Sequence, residues 1–223
     1  MDPLTWTGAL AFLNPIYQIT LVLLVAALAI WIITSVISAG TRQVANADGS
    51  FTLAGNPQAM ANLGVKLTFL VVAILSLAYL LFGLILGTSA GIVGAMSRQM
   101  LPTWTALVVL FALSISFKRR LGLYGKLFDS PIGMIGFGLV MFWVFTGIFG
   151  AMDLIATHDP LGQASGMKNK VPGTPLRGAE EGEYAWYLLG GDNLARDVFS
   201  RMVKGAWEVL KYAPLATLFA FMV

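Results

Sequence analysis

Few side chains in this sequence could do chemistry. There is no cysteine, one histidine (His158), and eleven acidic residues, of which Asp153 borders an apolar run. Without cysteine there are no thiolate nucleophiles, disulfides or Cys-ligated metals. A metal site needs several ligands at close spacing, and His158 has none arranged beside it. With Asp159-Pro160 it reads as the start of a turn. A carboxylate inside a membrane span is by default a functional residue, but Asp153 lies close enough to the interface to be hydrated. Gly125-Lys126 has the look of a phosphate loop, yet Arg120 occupies the position of its first glycine and Leu127 stands where Ser or Thr is needed. No catalytic, cofactor-binding or metal-binding residue is therefore expected.

The elements around these residues are built for lipid. Hydrophobic residues make up 57% of the 223 and charged residues 11%, with a mean hydropathy of +0.79. Soluble domains carry about 25% charged residues, and a chain this apolar could not cover itself with polar surface. The net charge of +3, from 14 Lys and Arg against 11 Asp and Glu, is too mild for a nucleic-acid partner. The expected fold is all-α, a polytopic transmembrane helical bundle.

Crossing a hydrocarbon core takes roughly 20 apolar helical residues. Four runs qualify: about 16–39, 67–88, 101–117 and 132–156. The third is the shortest and carries Pro102 in what would be its first turn, where proline is tolerated. A fifth run begins at about 212, and the sequence ends before it could cross. The expectation is a truncated span in the N-terminal part of a longer protein. Lys118, Arg119, Arg120 and Lys126 mark the loop 118–131 as cytoplasmic. Alternation then puts 40–66 inside as well, and the N-terminus, 89–100 and 157–211 outside.

Segment 157–191, rich in Gly, Pro and charge, reads as an irregular extracytoplasmic loop. Residues 192–211 read as an amphipathic helix at the membrane surface. Leu194, Val198, Met202, Ala206 and Leu210 recur at four-residue steps, and Phe199, Val203 and Trp207 widen the stripe. Asp192 or Asn193 would cap it, and Asp197–Arg201 and Lys204–Glu208 would be i,i+4 pairs. Gly83, Gly87 and Gly91 are spaced for close helix packing, within the chain or between chains.

The stretch from Leu189 to Ala206, LGGDNLARDVFSRMVKGA, resembles a signature of the peptide-type ABC transporter permeases, roughly LGTDxLGRDVFSRxxxGAR in the C-type subunit of dipeptide and oligopeptide permeases. Asp192, Leu194, Arg196, Asp197, Val198, Phe199, Ser200, Arg201, Gly205 and Ala206 match. Ala156-Thr-His-Asp-Pro160 looks like that family's Asp-Pro turn after a membrane helix. The resemblance covers about 117–223. It departs at Gly191 for Thr, Ala195 for Gly and Trp207 for Arg, and in having four helices rather than one before the turn. Residues 1–116 are thus an N-terminal extension with three membrane helices, and 117–223 the start of a permease core.

The resemblance implies a subunit forming half of a translocation pathway for peptides or similar small solutes. It would sit in a bacterial inner membrane as a multi-pass protein. Its partners would be a second permease subunit, two cytoplasmic ATPase subunits that hydrolyse ATP, and an extracytoplasmic solute-binding protein. The chain itself would be no enzyme and carry no cofactor. Residues Asp192, Leu194, Arg196, Asp197, Phe199, Ser200, Arg201 and Gly205 would serve a structural or docking role. The coupling loop that docks on the ATPase would lie beyond residue 223. The alternative is a non-transporting membrane scaffold or accessory subunit.

Overall fold

A computed structural model describes residues 2–45, 57–120, 122–179 and 184–222. Parts of three expected loops, 46–56 of 40–66, residue 121 of 118–131 and 180–183 of 157–191, lie outside the described residues, as does Val223. The described chain is predominantly helical and forms two compact units, residues 9–82 and residues 2–8 with 83–222. The stretches Gly8–Ile37, Pro57–Gln99 and Pro131–Ala151 are long and apolar enough to cross a membrane, which marks the chain as a membrane protein.

The first unit holds α1 (Asn14–Ala45) and most of α2 (Pro57–Leu86). Both helices start with a proline in the first turn, where its missing N–H costs nothing. They extend into the segment 40–66 that was expected as a loop, at 40–45 and 57–66. Polar side chains join them at both ends. The Tyr79 hydroxyl donates to Asn14 Oδ1 at 2.7 Å, and Tyr17 meets Tyr79 edge to face at 5.6 Å. At the other end Trp31 Nε1 donates to Asn62 Oδ1 at 2.5 Å and Gln58 Nε2 to Ser35 Oγ at 2.8 Å. This order makes the pair antiparallel. Large apolar residues along both helices, among them Val22, Ile33, Leu70 and Ile74, are exposed. In lipid such surface is satisfied, and interhelical hydrogen bonds supply the association that hydrophobicity does not.

In the second unit the chain leaves α2 through a 3₁₀ turn, Gly87–Ala90, into α3 (Gly91–Gln99) and then α4 (Leu101–Ser116). Gly83, Gly87 and Gly91 therefore do not form one continuous helical face. Gly87 and Gly91 have φ of +57° and +70°, a left-handed conformation that glycine adopts without strain. They sit at the chain reversal, and each of the three allows a close approach: a Cβ would lie 3.1 Å from Gly94 Cα at Gly83, 2.8 Å from Arg98 Nη1 at Gly87 and closer still to Thr5 O at Gly91. At 16 residues α4 is about 24 Å long, short of a full span, so the third expected crossing is a shorter apolar helix.

A basic turn follows, containing α5 (Leu123–Lys126), where Lys118 pairs with Asp129. Gly125 and Lys126 lie inside this helical turn, so they form no phosphate loop. Helix α6 (Pro131–Ala151) starts with Pro131 and a Ser130 cap whose Oγ accepts from Gly133 N. It packs against α4 through rings of Phe111, Phe128, Phe137 and Tyr124. After α6 comes a long irregular segment holding one antiparallel pair, β1 (Thr174–Pro175) and β2 (Trp186–Tyr187). Helix α7 then runs unbroken from Val198 to Met222.

Residues 2–8 are stitched into this unit. Leu4 N donates to Gly173 O, Ile92 N to Thr5 O and Val93 N to Trp6 O. Trp186 Nε1 donates to Asp2 O. The buried core lies at this end, made of Ala95, Met100, Ile155, Leu188, Phe199 and Val203.

Candidate functional site

The signature residues meet at the joint between α6 and α7. Helix α7 begins at Val198, so the expected helix start at 192 is six residues too early, and no separate surface helix precedes a span from 212. The cap is Asp197, not Asp192 or Asn193: its carboxylate accepts from Ser200 N at 3.0 Å and Phe199 N at 3.3 Å. An N-cap carboxylate satisfies amides that the first helical turn leaves without partners.

Asp197 does more than cap. It is fully buried, and its Oδ2 accepts from the Ser200 hydroxyl at 2.6 Å and the Thr157 hydroxyl at 2.9 Å. His158 Nδ1 lies 3.4 Å from the same oxygen. Ser200 Oγ in turn accepts from the backbone N–H of Thr157 at 3.0 Å and His158 at 2.9 Å. The first turn of α7 thus holds the backbone just past α6. Burial alone would push the Asp197 carboxyl up; the donors on His158, Ser200 and Thr157 outweigh it and hold the group below the usual carboxylate range.

The three residue types of a catalytic triad are present without its geometry. The Ser200 hydroxyl donates directly to the carboxylate and is fully buried. His158 Nε2 lies 2.8 Å from the Tyr184 carbonyl and Nδ1 faces Thr157 and Asp197, so neither ring nitrogen is hydrogen-bonded to Ser200 Oγ as a triad base would be. Among the described residues no group of three or more His, Cys, Asp or Glu could hold a metal. Asp153, just past α6, is exposed and pairs with Lys204 at 2.5 Å, which gives it a structural partner across the joint.

Asp192 organises the turn ahead of α7. Its Oδ1 accepts from the backbone N–H of Leu194 at 2.8 Å and Arg196 at 2.9 Å. Its Oδ2 takes Arg196 Nε at 2.9 Å and also pairs with Arg201. Both expected i,i+4 pairs are therefore replaced: Arg201 goes to Asp192, Lys204 to Asp153 and Glu208 to Lys211. The helix starts too late for Asp197 to be free, because its carboxylate is spent on the cap. Ala195, where the family pattern has Gly, sits at φ +61°, a conformation that suits glycine better. Leu194 is exposed on the turn, while Phe199 and Val203 are fully buried. The inward stripe of α7 is thus one position round from the Val198–Met202 row.

Gly205 faces open space. It lines an apolar groove of about 640 Å³ with Val140, Trp143 and Met202. The close approach of α6 and α7 falls instead on Gly147 and Gly150, opposite Ala206 and Val203. Sequence reasoning missed these two and the roles of Thr157 and His158. The small-residue spacing in α6 and the polar pair before Asp159-Pro160 were the available signals.

Comparison with protein-family models, curated proteins and solved structures finds no match for this chain.

The Asp192 carboxyl is held well below its usual range, first by the Arg196 backbone N–H and then by its side chain and the Leu194 N–H, against some desolvation. A carboxylate depressed on folding stabilises above its unfolded pKa and loses that contribution as pH falls toward its folded pKa. The stability advantage of the native chain over Asp192→Asn should therefore hold at neutral pH and shrink below about pH 4. Unfolding midpoints of both chains in detergent between pH 7 and pH 3 measure it.

Proposed function

We propose that the chain is a multi-pass transmembrane subunit of an ABC-type importer of the peptide class, forming part of a solute pathway across a bacterial inner membrane. One observation carries this reading. Of the residues singled out by the resemblance, Asp197 and Ser200 fasten the start of α7 to Thr157 and His158 after α6, and Asp192, Arg196 and Arg201 tie the turn ahead of α7 to its first turns. The signature thus has a mechanical use here. It makes the outer segment and the next helix move as one piece, which is what alternating access needs if binding outside is to bias a helix bundle.

The topology inferred from charge is supported in the same way. Residues 2–8, 87–100, 152–179 and 184–197 pack together, and the basic turn that holds Lys118, Lys126 and Asp129 lies at the other end of α4 and α6. On this reading the packed end faces outward and the basic end faces the cytoplasm. ATP is hydrolysed on two separate cytoplasmic subunits, a second permease subunit completes the pathway, and a solute-binding protein docks outside. Residues 1–116 are an extension to this core.

The test is co-expression with the genes beside its own, followed by uptake of labelled di- and oligopeptides. Deleting the chain is expected to abolish uptake, and the chain should co-purify with an ATPase. Uptake that survives deletion, with no ATPase in the purified complex, would make it a non-transporting scaffold.

A further inference from the structure

The strongest unassigned feature is a polar pocket beside the core, about 390 Å³, lined by Thr88, Ala95, Arg98, Gln99 and Tyr184. Arg98 sits in the last turn of α3. Its guanidinium folds back over the chain reversal: a Cβ on Gly87 would lie 2.8 Å from Nη1 and 3.1 Å from Cδ. Glycine at 87 therefore makes room for the arginine as well as for the turn. On the opposite wall Tyr184 is anchored by its own carbonyl, which accepts from His158 Nε2 at 2.8 Å, and by ring contact with His158.

Four side chains with hydrogen-bonding capacity thus border one cavity. Among the described residues the Arg98 guanidinium has no carboxylate partner; Arg98 and Thr88 are exposed at the pocket mouth, and Gln99 and Tyr184 are half-buried.

We infer that this pocket binds an oxyanion, a phosphate or carboxylate group, held by the Arg98 guanidinium with Tyr184, Thr88 and Gln99 as further donors. A guanidinium presents a planar fork that matches two oxygens at once, and neutral hydroxyl and amide donors complete the shell without adding charge. The oxyanion comes either from a phospholipid headgroup or from a soluble solute. The inference stands apart from the importer reading, since it rests on the pocket alone. It does have a consequence for it: an occupant touching Tyr184 lies one hydrogen bond from His158 and two contacts from the Asp197 cap of α7.

The experiment uses the full chain and reads unfolding midpoint and calorimetric binding in two arms. In a maltoside detergent, which lacks phosphate, inorganic phosphate and succinate are titrated at constant ionic strength against chloride. In nanodiscs, phosphatidylglycerol is compared with a galactolipid. The native chain is expected to respond in one arm, which names the source. Arg98→Gln should weaken that response at least tenfold, and Tyr184→Phe and Arg98→Lys severalfold, with the helical signal of each variant unchanged. No response in either arm, or a response equal in Arg98→Gln and the native chain, overturns the site. So does binding that appears only when Glu180, Glu181 and Glu183 are all changed to Gln, because the pocket would then be serving the chain's own carboxylates.

Discussion

Asp197→Ala is expected to cost about 3 kcal/mol or more of folding stability, read as a fall in the detergent unfolding midpoint. The magnitude follows from what is left behind. A fully buried carboxylate that receives hydroxyls from Thr157 and Ser200, two backbone amides and the edge of His158 cannot be removed without stranding those donors. Breaking a buried charged cluster from one side typically costs about 3–5 kcal/mol, most of it the penalty on the orphaned partners. Asp197→Asn keeps the shape and some acceptor capacity, so it should lose less. If Asp197→Ala unfolds at the native midpoint, the joint is not held by this residue. Because the cap ties α7 to the residues after α6, the same variant should expose residues 155–158 and 197–200 to faster amide exchange before the rest of the unit.

The second large effect lies one layer down. Gly150→Ala should destabilise the α6–α7 packing by about 2 kcal/mol, the usual scale for forcing extra atoms into a close contact. A Cβ at position 150 would sit 2.6 Å from Val203 Cγ1 and 2.9 Å from Val203 O. The first contact can be relieved by trimming the valine, and the second cannot, because it is backbone. Val203→Ala added to Gly150→Ala should therefore recover part of the loss, though Val203→Ala alone destabilises by opening a cavity. A double-mutant cycle on unfolding midpoints measures the coupling. Strictly additive effects would show that the two helices do not meet here.

The membrane character and the helices were legible in the sequence because they depend on one-dimensional quantities, the length and purity of apolar runs. Helix α6 shows this: the apolar run read as about 132–156 is the helix Pro131–Ala151. The failures are where a local pattern competed with a long-range partner. Residues 192–197 have a helical spacing of apolar residues, but Asp192 is better served by a tight turn that hands it two amides and two guanidinium groups. Helix propensity is a weak preference against so many charge-assisted bonds. His158 was legible as the start of a turn with Asp159-Pro160, and its role in the joint was not. Its partners, Asp197 and the Tyr184 carbonyl, are 39 and 26 residues away, and no spacing rule reaches that far. The glycines at 83, 87 and 91 have a helical spacing, yet α2 ends just before Gly87 and Gly91 opens α3.

The stitching of residues 2–8 also constrains how the molecule can be made. Leu4 waits for Gly173, and Asp2 for the indole of Trp186. These residues leave the ribosome before α1, while their partners follow α6. These contacts can therefore close only after residues 173 and 186 have been made. Such distant closure is slow relative to local helix formation. A nascent chain stalled before residue 173 would carry α1 to α6 and leave Leu4 and Asp2 without these partners.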